Sequence, residues 1–188
     1  IRRALRQQRV TGSVTVIGSA NLDIVLTIDR RPLPGETVMG KALFETPGGK
    51  GVNQAIASAR VARTSFVGTV GNDSAGRRVA AALADAQVGT EHLGHSSFPT
   101  GRAYVSLTPD GENSIVVMSL ANSRLEAHDV LRALEATSPN AVLIQLEVPR
   151  AVTAAVIEWC SRGSVRLVFN PSPADADALA SAGHADPL

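Results

Sequence analysis

The feature that most constrains the fold is a set of short apolar runs separated by longer stretches with helical spacing. The runs cover residues 14–17, 65–70, 141–146 and 165–169. Short apolar runs bounded by turn signals are typical of strands that are buried on both faces of a sheet. The intervening stretches are long enough to join parallel strands through a helix. The sequence therefore predicts an α/β body with a doubly wound parallel sheet.

The stretches between these runs have the composition of packed helices. We expect helices over residues 52–61, 73–86, 126–136 and 150–161, and another from Pro173. Asp73 or Ser74 suits the N-cap of the second helix, and Gly89 suits its end. Residues 1–12 are basic and end in Thr-Gly, which is typical of a poorly ordered leader. Residues 13–188 are therefore assigned to one α/β domain.

A second group of strands differs from the first because no helices separate its members. These strands mix polar and apolar residues and are expected near residues 23–28, 37–46, 103–108 and 114–118. Gly40 breaks the second of them, and residues 109–113 form a strong turn signal between the last two. We therefore expect the α/β body to carry a smaller β-sheet flap, contributed by residues of about 22–47 and 101–119.

Composition and charge exclude several classes of function. Eighteen basic and 17 acidic residues give a formal net charge of +1 without a long basic run, so no broad surface for nucleic acid or membranes is expected. The single cysteine, Cys160, cannot form an internal disulfide or a multi-cysteine zinc site, which favours a reducing compartment and, by default, the cytoplasm. Its position beside Trp159 in a helical stretch favours a packing role. The four histidines have no metal-like spacing.

Polar residues that follow predicted strands are candidate site residues, because ligands of open α/β sheets bind beyond the carboxyl ends of the strands. Asn21 and Asp23 follow the first strand and, two residues apart on an extended segment, point to the same face. An amide and a carboxylate side by side suit the neighbouring hydroxyls of a polyol. The alternative is that Asn21 supports a turn and Asp23 is exposed. Glu147 follows another apolar run and is either a rim residue or a ligand group.

A glycine-rich loop with the sequence GGKGVN, at residues 48–53, precedes an alanine-rich helix. Glycines allow close approach to a ligand, and the amides at a helix start attract oxygen-rich or anionic groups. The loop is not a Walker loop, because Lys50 is followed by Gly51, and it is not a dinucleotide fingerprint, because Gln54 stands where the third glycine belongs. Lys50 and Asn53 are available as side-chain donors in the first helical turn. The alternative is a purely structural turn.

These separate signals occur together in an order that resembles the PfkB-type sugar kinases, and within that family the ribokinases. The strongest match is the pair PGET at 34–37 and GGKGVNQA at 48–55. The other matching blocks are GSANLD at 18–23, VGTVGND at 67–73, TG at 100–101, GEN at 111–113, QLE at 145–147 and NPSP at 170–173. Ordered co-occurrence of this kind is far more specific than any single motif.

The resemblance implies transfer of the γ-phosphoryl group of ATP to a sugar hydroxyl, and for the ribokinases to the 5-hydroxyl of D-ribose. It implies a ribokinase-like three-layer αβα body, whose flap is a lid over the sugar and the contact of a homodimer. The implied sugar-binding residues are Asn21, Asp23, Gly49, Lys50, Gly51, Asn53 and Glu147. The implied cofactors are ATP and Mg²⁺, with a monovalent cation such as K⁺ as a further candidate.

Two positions depart from the family pattern. The family's Gly-Ala-Asn block corresponds here to Leu120, Ala121 and Asn122, and loss of the glycine could alter a turn near the substrate. Arg102 stands where ribokinases place a small or apolar residue, so its long cation either reaches the pocket or turns to solvent. Both changes leave the identity of the sugar open.

The C-terminal motifs of the family do not occur in this sequence. They are an Asn-x-x-Glu motif near the phosphates and magnesium, and a Gly-Ala-Gly-Asp motif that carries the catalytic base. Phosphoryl transfer depends on such groups, so we expect a truncation, a proteolytic fragment or the ordered portion of a longer kinase, and we expect the 188-residue chain to be inactive alone. A kinase for another sugar or a nucleoside is one alternative, although 3% aromatic residues leave little to hold a base. A non-catalytic sugar-binding or regulatory protein is another.

Overall fold

The described part of the chain alternates between strands and helices. The computed structural model describes residues 12–163 and 165–173 and the backbone of residues 186–187. In chain order the elements are β1 (Ser13–Ile17), β2 (Asn21–Ile28), β3 (Gly40–Gly48), α1 (Lys50–Ala59), β4 (Arg63–Gly71), α2 (Ser74–Asp85), β5 (Gly89–Ser96), β6 (Gly101–Leu107), β7 (Asn113–Met118), α3 (Ala127–Thr137), β8 (Ala141–Gln145), α4 (Arg150–Arg162), β9 (Arg166–Asn170) and β10 (Asp186–Pro187). A 3₁₀ helix at Leu120–Arg124 lies between β7 and α3. Residues 1–11 of the predicted leader, the helix predicted to follow Pro173, and His184 lie outside the described residues.

A six-stranded sheet forms the body of the protein. Its strands lie in the order β10-β9-β8-β1-β4-β5, and every neighbouring pair is parallel. The central strand β1 pairs with β4 on one side and with β8 on the other. The parallel sheet expected from the apolar runs is therefore confirmed.

Helices cover both faces of this sheet, which makes the body three layers thick. On one face Val16 packs with residues of α1 and α2, and on the other Ile17 packs with residues of α3 and α4. Both side chains are fully buried, and burial of such a side chain stabilises the fold by about 1.5–3 kcal/mol. Successive side chains of a strand point to opposite faces, so a continuous apolar run is what a two-sided core requires. None of the helices in the described residues is long and apolar enough to cross a bilayer.

The remaining strands form a four-stranded sheet, which we call the flap sheet, in the order β3-β2-β6-β7. β2 pairs with β3 antiparallel and with β6 parallel, and β6 pairs with β7 antiparallel across the predicted hairpin turn. The whole of β7 and most of β3 are exposed. The small second sheet predicted from the strands without intervening helices is therefore confirmed.

The PGET segment closes the loop that joins β2 to β3. The carboxylate of Glu36 accepts hydrogen bonds from the guanidinium of Arg30 and, at 2.9 Å, from the backbone N–H of Leu33. The bonds from Arg30 and Leu33 lower the pKa of Glu36 to about 2. In this chain the motif therefore shapes a loop of the flap sheet.

Some local predictions are wrong. β3 begins at Gly40, so this glycine opens the strand instead of interrupting it. α2 ends at Asp85, and Gly89 begins β5, which the sequence did not predict. β5 is missed because it is an edge strand without a fully buried residue, so its sequence GTEHLGHS has no apolar run. The 3₁₀ helix is missed because five residues are too few for a periodic signal.

Cys160 lies in the core between α4 and the parallel sheet. Its side chain belongs to the cluster that contains Ile17 and Phe169, and the residue is 5% exposed. Burial raises the pKa of the Cys160 thiol to about 11, which disfavours the nucleophilic thiolate at neutral pH. The packing role expected from the sequence agrees with this environment.

Candidate functional site

Three segments meet beyond the carboxyl end of β1, and Glu147 lies at their centre. Its Oε2 atom accepts hydrogen bonds from Oγ of Ser19 at 2.5 Å and from the backbone N–H of Lys50 at 3.1 Å. Its Oε1 atom lies 3.7 Å from Nζ of Lys50, and its side chain is 13% exposed. One oxygen of this mostly buried carboxylate therefore accepts two hydrogen bonds, and the other lies near the ammonium group of Lys50.

The glycine-rich loop lets the start of α1 approach the turn after β1. Gly49 is the N-cap residue of α1, and its φ of 89° lies in the left-handed region that favours glycine. A Cβ atom at this position would lie 3.0 Å from both the carbonyl oxygen and Oγ of Ser19. The backbone N–H of Gly51 donates to Oγ of Ser19 at 3.4 Å. α1 begins at Lys50, two residues before its predicted start. The backbone N–H of Lys50 donates to Glu147, so the positive end of the helix dipole faces this carboxylate.

Asp23 lies on β2 with its carboxylate against Gly48. Its Oδ1 atom is buried, and no group in the described residues donates a hydrogen bond to it. Burial raises the pKa of Asp23, and the negative charge of nearby Glu147 raises it further. A buried acceptor without a donor is costly in a folded protein, so Asp23 is ready to accept a hydrogen bond from a ligand.

Asn21 is 1% exposed and forms a side-chain pair with Asn122. The Oδ1 atom of Asn21 accepts from Nδ2 of Asn122 at 2.8 Å, and Oδ1 of Asn122 accepts from the backbone N–H of Ala20 at 2.8 Å. Asn122 and Ser19 were not predicted as site residues, although Ser19 belongs to a block that matches the family and Asn122 to the block that departs from it at Leu120. Their contacts join residues about a hundred positions apart, which no local pattern indicates.

A cavity of about 590 Å³ opens next to Glu147. Its polar lining includes Ser19, Lys50, Asn122 and Glu147, and its apolar lining includes Ile115 and Val117 of the flap sheet and Leu146 and Val148 after β8. Asn21, Asp23, Gly49 and Gly51 are not among the residues that line it. Asn53, in the first turn of α1, is exposed and does not line the cavity. The arrangement offers carboxylate acceptors and an ammonium donor to a small polar molecule.

Asp73 and Thr100 tie the start of α2 to the start of β6, close to this region. The carboxylate of Asp73 accepts from the backbone N–H of Gly76 at 2.8 Å and from the hydroxyl and N–H of Thr100 at 2.6 and 3.0 Å. Burial by itself raises the pKa of Asp73, but hydrogen bonds from Thr100 and Gly76, together with the charge of Arg102, lower it overall. The predicted N-cap role of Asp73 is confirmed.

Arg102 meets neither expectation drawn from the sequence. On β6 it alternates with Ala103, which is opposite Asp23 in the strand register, so Arg102 points to the other face of the flap sheet. Its Nη1 atom is buried, and no group in the described residues accepts a hydrogen bond from it. The guanidinium of Arg102 therefore does not reach the face of the flap sheet that carries Asp23. It does not extend fully into solvent either, because it lies near Asp73 at the N-terminal end of α2.

Known proteins share this architecture. Residues 11–188 match the family described as "pfkB family carbohydrate kinase". The ribokinase of Bacillus subtilis is 38% identical over 165 residues, which cover 86% of this chain and 56% of that protein. The structure of ribokinase from Giardia lamblia superposes with a TM-score of 0.80 at 32% identity, covering 89% of this chain and 53% of that one. Arabidopsis thaliana ribokinase complexed with ribose and ATP superposes with a TM-score of 0.72 at 34% identity, covering 84% and 53%.

The three-layer α/β body and its four-stranded flap place the chain in the same fold class as these ribokinase structures. The chain belongs to the pfkB family of carbohydrate kinases. It spans little more than half the length of the relatives that it matches.

Proposed function

We propose that the complete protein is an ATP-dependent kinase that converts D-ribose to D-ribose 5-phosphate, and that this chain provides its sugar site. The observation that carries the proposal is the buried Oδ1 of Asp23, which no group in the described residues pairs, together with the nearby carboxylate of Glu147 and its neighbour, the ammonium of Lys50. Ribokinases are among the chain's relatives, and one of the similar structures is described as a complex with ribose and ATP.

The chemistry of the site suits a neutral polyol. Each sugar hydroxyl donates one hydrogen bond and accepts others, so it can bridge a carboxylate and an ammonium group. Asp23 and Glu147 supply acceptors, and Lys50 supplies a donor. The full set of proposed sugar-binding residues is Asn21, Asp23, Gly49, Lys50, Gly51, Asn53 and Glu147. Hydrogen bonds to charged groups contribute about 1.5–3 kcal/mol each, enough to select a polyol over water.

The flap sheet is the proposed lid and the proposed homodimer contact. Ile115 and Val117 line the cavity from β7 and are 53% and 44% exposed. Phe44 lies on the same face of the sheet and is 51% exposed. A lid of apolar side chains excludes the water that would compete with the sugar for the phosphoryl group. A second copy of the chain would cover the part of this face that the sugar leaves exposed.

The described residues do not themselves fit a magnesium ion or the phosphates of ATP. They contain no group of three acidic, histidine or cysteine side chains that could hold a metal. The Asn-x-x-Glu and Gly-Ala-Gly-Asp motifs are absent from the sequence. We therefore assign the binding of ATP, Mg²⁺ and any monovalent cation to the remainder of the complete protein.

Titration of the chain with D-ribose in a calorimeter tests the sugar site. The wild-type chain should bind D-ribose, and Asp23→Ala should abolish detectable binding. Asp29→Ala is the matched control, because Asp29 follows the same strand but is 66% exposed and paired with Lys41. Unchanged ribose affinity in Asp23→Ala would refute the assignment.

The catalytic part of the proposal needs a protein with the length of the relatives. Such a protein should phosphorylate D-ribose in the presence of ATP and Mg²⁺, whereas the 188-residue chain should show no turnover. Sugar binding without turnover in the longer protein would favour a non-catalytic sugar-binding protein instead.

A further inference from the structure

Asn122 links the end of the flap sheet to the proposed sugar site. It lies in the 3₁₀ helix that follows β7, and it is 2% exposed. Its Oδ1 atom accepts from the backbone N–H of Ala20 at 2.8 Å. Its Nδ2 atom donates to Oδ1 of Asn21 at 2.8 Å and to the carbonyl oxygen of Ala20 at 3.4 Å. Both ends of the Asn122 amide are therefore used in buried hydrogen bonds.

The backbone of Ala20 determines which way both amides point. A backbone N–H can only donate, so the atom of Asn122 that faces it must be the oxygen. Nδ2 of Asn122 then faces Asn21, and the atom of Asn21 that receives it must also be the oxygen. The Nδ2 group of Asn21 is then the end of this amide that is directed away from Asn122.

Packing on the neighbouring strand holds the two amides together. Gly101 is opposite Asn21 in the pairing of β2 with β6. A Cβ atom at Gly101 would overlap both Oδ1 of Asn21 and Nδ2 of Asn122. Only glycine at this position leaves room for the pair, so the strand itself is adapted to it.

The segment that carries Asn122 starts from a strained residue. Leu120 has a φ of 46°, in the left-handed region that leucine rarely adopts. The next residue, Ala121, is fully buried, and its N–H donates to the carbonyl oxygen of Pro99 at 2.9 Å. Strain of this kind persists where the surrounding structure requires a particular placement, and here the placed group is the Asn122 amide.

We propose that Asn122 is a positioning residue that orients Asn21 as a hydrogen-bond donor to the sugar. The inference rests on the proposed sugar-binding function and adds a determinant of specificity to it. Asn21 and Asp23 lie on the same face of β2, so the site presents an amide donor beside a carboxylate acceptor. One hydroxyl can accept from the first and donate to the second. A sugar that lacks this hydroxyl leaves both groups unpaired, so the site discriminates against the corresponding deoxy sugar.

The substitution Asn122→Asp tests the proposal because it keeps the shape and reverses the hydrogen bond. One carboxylate oxygen still accepts from Ala20, but the other oxygen now faces Asn21 and forces its amide to turn over. The site then offers two acceptors to the hydroxyl, and the affinity for D-ribose should fall about tenfold or more. Asn140→Asp is the matched control, because Oδ1 of Asn140 accepts from the backbone N–H of Ser13 at 2.8 Å at the opposite end of β1. The control should bind D-ribose like the wild type.

A panel of 1-, 2-, 3- and 5-deoxy-D-ribose separates the turned amide from the added negative charge. Calorimetric titration gives the ratio of dissociation constants, Asn122→Asp over wild type, for each sugar. The proposal expects this ratio to be at least about fivefold smaller for one deoxy sugar than for D-ribose, because that sugar lacks the partner of Asn21. An equal ratio for every sugar shows a charge effect alone and overturns the proposal, as does unchanged D-ribose binding.

The remaining outcomes separate the inference from the proposed function. If Asn122→Asp does not fold, Asn21→Asp takes its place, because a carboxylate there still accepts from Asn122 but removes the donor. Its loss of affinity should again be smallest for a single deoxy sugar, and a uniform loss overturns the proposal. A wild-type chain that binds no sugar refutes the proposed function and the inference together. Binding by the wild type with no effect of either variant refutes the inference alone.

Discussion

Removing the charge of Asp23 should make the chain more stable and its sugar binding weaker. The pKa of Asp23 is raised by burial and then by the charge of Glu147, so the folded protein holds the neutral carboxyl group better than the unfolded chain does. Between the ordinary value of 3.8 and the raised folded value, the folded state binds more protons. Stability therefore falls as the pH rises through this window, so the ionised form of Asp23 lowers the stability of the fold.

The magnitude follows from the environment of the carboxylate. Oδ1 of Asp23 is a buried acceptor without a donor in the described residues, and such an atom costs about 1–3 kcal/mol. Asp23→Asn removes the charge but keeps one unpaired oxygen, so we expect a gain of about 1 kcal/mol, equivalent to a rise in Tm of about 2–4 °C for a chain of this size. Loss of a hydrogen bond to a charged group should weaken D-ribose binding about 10- to 150-fold.

Thermal unfolding at several pH values, with and without D-ribose, measures both effects. Without sugar, Asp23→Asn should unfold above the wild type at pH 7, and the difference should shrink below about pH 4, where the wild-type carboxyl group is neutral. With sugar, the wild type should gain more stability, because stabilisation grows with the ratio of ligand concentration to Kd. A variant that is less stable at pH 7 and still binds D-ribose like the wild type would refute the reasoning.

Three further predictions concern the segments around the site. Leu120→Gly should raise the free energy of unfolding by up to about 1 kcal/mol in urea denaturation. A positive φ costs leucine about 1–2 kcal/mol, and the larger entropy that glycine loses on folding offsets part of the gain from removing this cost. A loss of stability would contradict the assignment of strain to Leu120. Gly49→Ala should destabilise by about 1–3 kcal/mol in the same assay, because its φ is 89° and its Cβ atom would crowd Ser19; an unchanged midpoint would show that the loop relaxes. Because the pKa of Asp73 is lowered in the folded state, its ionised carboxylate stabilises the fold above about pH 4, and this stabilisation is lost as the pH falls. Acid unfolding followed by circular dichroism should therefore be steeper for the wild type than for Asp73→Asn. Parallel unfolding curves would contradict this prediction.

The strands that could be predicted are those whose burial on both faces requires consecutive apolar residues. Val16 and Ile17 face opposite sides of the parallel sheet, and that requirement alone produces an apolar run that can be recognised without the structure. β5 carries no such signal, because it lies at the sheet edge and has no fully buried side chain. The strand therefore could not be predicted from the sequence pattern, although it pairs with β4 from Ser65 to Gly71 with one register shift.

The site was predictable in its membership but not in its contacts. Strand alternation alone indicates that Asn21 and Asp23 share a face. It cannot indicate that Asn122 donates a hydrogen bond to Asn21, or that Ser19 donates one to Glu147, because only tertiary packing brings these residues together. Side-chain rotamers and amide orientations follow from hydrogen-bond networks that close across the whole fold.

The end of β1 that carries the site combines positive φ angles with a buried carboxylate oxygen that no described residue pairs. Gly49 and Leu120 have positive φ, and Asp23 has a buried oxygen without a described donor. At the opposite end of β1, Asn140 satisfies the backbone N–H of Ser13, and Ser138, two residues before Asn140, has a φ of 42°. Positive φ therefore occurs at both ends of the sheet. Folding alone gives no reason, however, for the buried oxygen of Asp23 that no described group pairs, since both ends of the sheet need only turns and caps. A ligand that pairs the free oxygen of Asp23 does supply a reason, because its binding offsets the cost that the empty site imposes.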